Sequence, residues 1–273
     1  MFLARIRKLL SRLPIAWELG VLILAATLVS CKPASTDSTL VVGMELAYPP
    51  FEMRDASGAP SGVSVAIAQA LGQSLGREVV IENLAFDGLI PSLKTGKIDL
   101  IISSMTANEQ RAKSIDFSEP YLKTGLCLLV AKDSPVEGFE DLVSGDGKVA
   151  VKNGTTGHQH AVSLLPTERV LVLDSESSCV LEVVQGKATA FIYDQMSTYK
   201  NWQRHPSTTR AILKPFKEES WAIGIRKGQS ELLASVNQFL AEFREQGGFA
   251  ALGDRFLGEQ KEVFKELGVE FYF

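Results

Sequence analysis

From residue 39 onward the chain alternates short apolar runs with amphipathic stretches, and this alternation limits what it can fold into. "TLVVGMEL" (39–46), "EVVIENL" (78–84) and "IDLIIS" (98–103) read as strands, with helical patterns at 64–75 and 86–95. A second set follows: "GLCLLVAK" (125–132), "KVAVK" (148–152), "RVLVLD" (169–174) and "ATAFIY" (188–193), separated by helical stretches at 157–165, 176–185 and 194–203. Strands interleaved with helices at this spacing predict an α/β protein of parallel sheets covered on both faces. Two further helices, at 230–246 and 248–258, close the pattern. No short-period repeat or low-complexity segment interrupts it.

The first thirty residues follow a different logic. "FLARIRKLLSR" is basic, "LGVLILAATL" (19–28) is an apolar core too short to span a bilayer, and "LVSC" ends at Cys31. The last four residues resemble the lipobox of bacterial lipoproteins. That resemblance implies a signal peptide over 1–30, a lipid-bearing Cys31, and a polar tether over 31–38. The same leader also fits an ordinary signal peptide, or an anchor helix weakened by Glu18. Removing residues 1–30 takes the formal charge from −4 to −7, because that segment carries a net +3. Such a balance argues against a nucleic-acid partner and offers no polybasic membrane patch. Attachment to the membrane then rests on the lipid.

The segment "SSMTANEQR" (103–111) follows the strand "IDLIIS" and contains Thr106 and Glu109 at the spacing of a helix N-cap. Arg111 comes two residues later, beside backbone N–H groups that repel a cation. A bound anion resolves that conflict. A similar step occurs after "VAVK", where Thr156 and Gln159 repeat the spacing. Ligands in open α/β sheets bind beyond the carboxyl ends of the strands, so the two steps together suggest one anion held from both. Capping alone explains each threonine; it does not explain Arg111. Asp194 ends the strand "ATAFIY", where it serves either as a helix N-cap or as partner to a ligand's cation. Glu45, Tyr48, Phe51, Phe86 and Tyr121 fall near other strand ends, and these aromatics are either core or the walls of a pocket.

His158 and His160 point about 200° apart on a helix, which argues against a shared metal ion. No nucleophile elbow or Ser/His/Asp order is evident. Cys127 and Cys179 fall in a buried strand pattern and at a helix start, and are expected to be free thiols more readily than a bridge.

Five segments together resemble the extracytoplasmic solute-binding proteins of polar amino-acid ABC transporters. They are "AYPPFE" (47–52), "FDGLIPSLKTGKIDLIISSMTANEQRAKSIDFSEPYLKTG" (86–125), "GKVAVKNGTTG" (147–157), "VVQGKATAFIYD" (183–194) and "AIGIRKG" (222–228). The resemblance implies a two-lobed, type II periplasmic-binding fold with two hinge strands around a ligand cleft. Lobe one would span about 39–123 and 222–273, and lobe two about 124–221. It implies that Arg111 clamps an α-carboxylate with help from Thr106 and Thr156. Ser104 and Asp194 would take the α-ammonium, Tyr48 and Phe86 would flank the side chain, and Glu45 would lie near its tip. The implied protein is a lipid-anchored, extracytoplasmic monomer that delivers a free L-amino acid to a permease, without cofactor or metal. A basic ligand (arginine, lysine or ornithine) is favoured, then glutamine or histidine. A sensor of the same fold and a small dehydratase-type enzyme are the alternatives. The chain departs from the family at Gly62-Val63-Ser64 and at Thr189, and the C-terminal "KEVFKELGVEFYF" runs past the matched region.

Overall fold

The computed structural model describes residues 38–266 and Gly268. The expected signal peptide, Cys31 and the tether through residue 37 lie outside the described residues.

The first sheet is built from β1 (Thr39–Met44), β4 (Glu78–Asn83), β5 (Leu100–Ile101), β6 (Asp116–Phe117) and β12 (Gly224–Ile225), in the order β4-β1-β5-β12-β6. β1 lies parallel to β4 and β5, whereas β12 lies antiparallel to β5 and β6. A small hairpin of β2 (Met53–Arg54) and β3 (Pro60–Ser61) follows β1. α1 (Val63–Leu75) and α2 (Leu89–Thr95) cover opposite faces of the first sheet, and α3 (Glu109–Ala112) is a single turn beyond β5.

The second sheet has the order β11-β7-β10-β8-β9, from β7 (Leu122–Ala131), β8 (Val149–Lys152), β9 (Val170–Leu173), β10 (Ala190–Asp194) and β11 (Thr209–Trp221). α4 (Phe139–Ser144), α5 (Thr156–Leu164), α6 (Glu176–Val184) and α7 (Gln195–Arg204) accompany it. Apolar side chains pack on both of its faces in two clusters, one around Leu128, Val151 and Ile192 and the other around Leu129, Cys179 and Phe191.

Both sheets are mixed: to the parallel-type core expected from the alternating pattern they add antiparallel strands. Helical crossovers do create parallel neighbours among β4, β1 and β5 and among β10, β8 and β9. The chain also passes between the sheets through β7 and β11 and returns as β12. A strand that returns without a helical crossover pairs antiparallel. β7 and β11 pair antiparallel along their length, from Leu122↔Trp221 to Ala131↔Thr209, and form the two hinge strands. β11 has no strand periodicity in the sequence because Pro215 and five charged residues interrupt it. The register slips between Ile212 and Lys217, and Pro215 falls in that irregular stretch, where no ladder N–H is required.

α8 (Ser230–Glu245) and α9 (Gly248–Glu266) complete the chain. The segment without a family counterpart thus begins as helix. Its Phe264 is fully buried and meets the Tyr199 ring of α7 edge-on at 5.4 Å between centroids. Cys127 and Cys179 are both buried and unpaired. No helix among the described residues is long and apolar enough to cross a membrane.

Candidate functional site

One cavity lies between the carboxyl ends of the two sheets, and all eight residues expected at the site line it: Glu45, Tyr48, Phe86, Ser104, Thr106, Arg111, Thr156 and Asp194. The volume left is about 40 Å³, room for about three waters. The walls also include Glu52, Ser103, Tyr193, Glu219 and Trp221, which the sequence did not single out.

Arg111 is 5% exposed, and burial pulls its guanidinium down to about 10, still a cation at neutral pH. It donates through Nη1 to the Thr106 carbonyl at 2.7 Å and through Nη2 to the Gly154 carbonyl at 3.0 Å. The cap expected at Thr106 belongs instead to Asn108, whose Oδ1 accepts from the Arg111 backbone N–H at 2.8 Å. With only four helical residues, α3 has little dipole, so the expected clash with the guanidinium is slight. The second cap shifts in the same way: Thr155, not Thr156, accepts from the His158 N–H. Both shifts free the Thr106 and Thr156 hydroxyls, and both donate to Glu219 Oε2, at 3.0 and 2.8 Å.

Asp194 does cap α7, accepting from the Ser197 N–H at 3.1 Å. The same oxygen accepts from the Tyr48 hydroxyl at 2.5 Å. Burial raises its carboxyl to about 7 despite those two donors. Glu52 accepts from Ser64 at 2.6 Å and Ser104 at 3.0 Å, and burial carries it to about 8. Ser64 is one of the departures from the family pattern, and it supports Glu52 from behind. Ser104 has φ +48°, an uncommon backbone for a residue other than glycine, and that conformation lies where its hydroxyl reaches Glu52. Glu45 forms an ion pair with Lys152, whose side chain is 5% exposed. Arg111 and Lys152 also stand 5.5 and 5.7 Å from the Phe86 ring centroid. Of the four aromatics near strand ends, Tyr48 and Phe86 face the cavity. Phe51 and Tyr121 are core, with Phe51 stacked behind Tyr48 at 5.3 Å.

Several of these contacts join the two lobes directly: Tyr48 to Asp194, Glu45 to Lys152, Arg111 to Gly154, and Asn108 to Gln159 at 3.1 Å. Gly154 lies at φ +74°, and a Cβ there would sit 3.0 Å from the Cβ of Asp87 across the cleft. Only glycine fits that approach without strain. His158 accepts from the Gly154 N–H, whereas His160 packs on Phe139 and Phe216. The two histidines serve different surroundings, and no cluster suited to a metal ion exists among the described residues.

The raised carboxyls make a prediction with a definite sign. Glu52 and Asp194 hold protons in the folded protein at pH values where the unfolded chain has lost them, so their contribution to stability is full at acid pH and declines as pH rises toward 7–8. Denaturant unfolding of Glu52→Gln against the parent should show the variant gaining on the order of 4 kcal/mol between pH 5 and 8. A constant difference would show that Glu52 titrates normally.

A two-lobed α/β trap with a buried arginine, paired hydroxyls and buried carboxylates in its cleft has the construction of a binding protein for a small, charged solute. Residues 40–259 match the bacterial extracellular solute-binding proteins, family 3, and the chain belongs to that family. It is similar to the L-cystine-binding protein of Escherichia coli (strain K12), 29% identical over 222 residues, which are 81% of this chain and 83% of the relative. It is also similar to the L-arginine-binding protein of Pseudomonas aeruginosa, 28% identical over 242 residues, 85% and 93% of the two chains. Among solved structures, an ancestral arginine-binding protein bound to arginine is 32% identical with a TM-score of 0.74, over 81% of this chain and 98% of its own.

Proposed function

We propose that this protein is a receptor, not an enzyme, that captures a polar L-amino acid by lobe closure and hands it to the permease of an ABC transporter. Lobe one spans about 39–123 and 222–273, lobe two about 124–221, and Cys31 carries the lipid that anchors the monomer outside the cytoplasm. Arg111 takes the α-carboxylate, Thr106 and Thr156 assist, Ser104 and Asp194 take the ammonium, and Tyr48 and Phe86 flank the side chain. The observation that carries the reading is the convergence of these residues, drawn from both lobes, on one cavity around a buried guanidinium. A ligand that touches both lobes shifts their population toward closure by its differential affinity.

A basic amino acid is favoured, because Glu45 with Tyr48 and Phe86 suits a cationic head carried on an apolar stem. One observation favours a neutral polar side chain such as glutamine or histidine: Lys152 already engages Glu45, the group meant for a cationic tip. Relatives that bind cystine and arginine support the amino-acid class without deciding between its members.

Calorimetric titration of the chain from Thr39 onward, a compact unit by itself, against the twenty amino acids, ornithine and cystine tests the reading. Micromolar or tighter binding of one of them is expected. Silence across the panel from folded protein would overturn it. Asp194→Asn keeps an oxygen to cap α7, so the fold should persist while affinity for the free amino acid drops at least tenfold. Affinity for its desamino analogue should barely change; equal losses for both would remove Asp194 from the ammonium role.

A further inference from the structure

Glu219 sits on the hinge strand β11, and its carboxylate reaches into the cleft. A threonine hydroxyl has one proton to donate. Thr106, on the lobe-one side, and Thr156, on the lobe-two side, both give theirs to the same oxygen of Glu219. These are two of the groups assigned above to the ligand's carboxylate. The same protons cannot serve both acceptors, and a second carboxylate beside Glu219 would repel it. The charges nearest to Glu219 are Arg111 and Lys217; Arg111 directs two of its N–H groups to main-chain carbonyls.

An independent feature shows where Glu219 can go. Its partner across the hinge ladder is Thr124 on β7. Residues directly opposed in an antiparallel pair project to the same face with Cβ atoms about 5 Å apart. Thr124 is 7% exposed, and its Oγ1 has no hydrogen-bond partner. A buried hydroxyl without a partner costs stability, and a carboxylate accepting its proton removes that cost.

We propose that Glu219 is a resident substitute for the ligand's α-carboxylate: it occupies the Thr106–Thr156 seat and bridges the two lobes from the hinge, and an amino acid binds by expelling it toward Thr124. Glu219 therefore sets how tightly the site holds a carboxylate, and it discriminates ligands by that group rather than by their side chains. The proposal rests on the amino-acid reading given above and adds a residue for which the sequence offered no role.

The test compares wild type, Glu219→Ala, Glu219→Gln, Thr124→Val and the Glu219→Ala/Thr124→Val double variant by calorimetry. The probes are arginine and agmatine, its decarboxylated counterpart, with glutamine and 4-aminobutanamide as a neutral pair. Both Glu219 variants should bind the carboxylate-bearing member at least tenfold more tightly, with the decarboxylated member changed less than twofold. Thr124→Val should weaken amino-acid binding severalfold in the wild type and leave it unchanged in the Glu219→Ala background. Weaker or unaltered amino-acid binding in both Glu219 variants would overturn the proposal, and weakening would make Glu219 a partner of the ligand's ammonium instead. Small-angle scattering without ligand gives a readout independent of ligand identity: Glu219→Ala should raise the radius of gyration as the bridge is lost. If no protein in the series binds any amino acid, the receptor reading fails, and the scattering still decides whether Glu219 holds the lobes together.

Discussion

Arg111→Ala should abolish amino-acid binding, with at least a hundredfold loss of affinity by calorimetry. The guanidinium is buried, and its remaining N–H groups are the strongest donors available to a carboxylate in the cleft. Truncating one member of a desolvated charge pair costs about 2–5 kcal/mol, because the other charge stays buried without a partner. Arg111 also ties the lobes together through the Gly154 carbonyl, so the closed form itself loses a bond. Arg111→Lys should recover little, since an ammonium lacks the planar fork that meets both carboxylate oxygens. Circular dichroism of the variant separates lost binding from lost fold. Micromolar binding that survives in folded Arg111→Ala would take the carboxylate away from this residue.

Phe51→Ala should produce the largest loss of stability, about 3–5 kcal/mol, the range for removing a fully buried phenylalanine ring. Phe51 is 1% exposed, stacks on Tyr48 and meets Trp221 edge-on at 4.8 Å. These two neighbours are cavity walls, so the void would open directly behind the site. For a unit of this size the melting temperature should fall by roughly 10 °C. Ligand affinity should drop as well, because Tyr48 would lose the surface that holds its hydroxyl toward Asp194. A stability loss under about 1 kcal/mol would mean that the aromatic layer collapses into the space.

Much of the architecture was legible because it is local. Apolar runs of strand length, separated by amphipathic stretches, located β1, β4, β5, β7, β8, β9 and β10, and strand ends pointed to the cavity-lining residues. The errors were also physical. Thr106 and Thr156 have the spacing of caps, but Asn108 and Thr155 cap the helices, since several side chains of similar capping strength stand within three residues. β11 escaped notice because a hinge strand with a bulge and a proline follows no period. Glu52 ends the "AYPPFE" motif, yet nothing local distinguishes a buried glutamate from an exposed one.

The sequence by itself determined the α/β class, the family and the residue types gathered at the strand ends, because each of these depends on neighbours within a few positions. The tertiary structure decided which groups face one another in the cleft. Glu45 meets Lys152 across 107 residues, and Glu219 meets Thr106 across 113. Such partners have no shared periodicity to read. Only the packing of the two lobes around the crossing strands sets their distances, and those distances put the ion-paired Glu45 and the threonine-bound Glu219 in the same pocket.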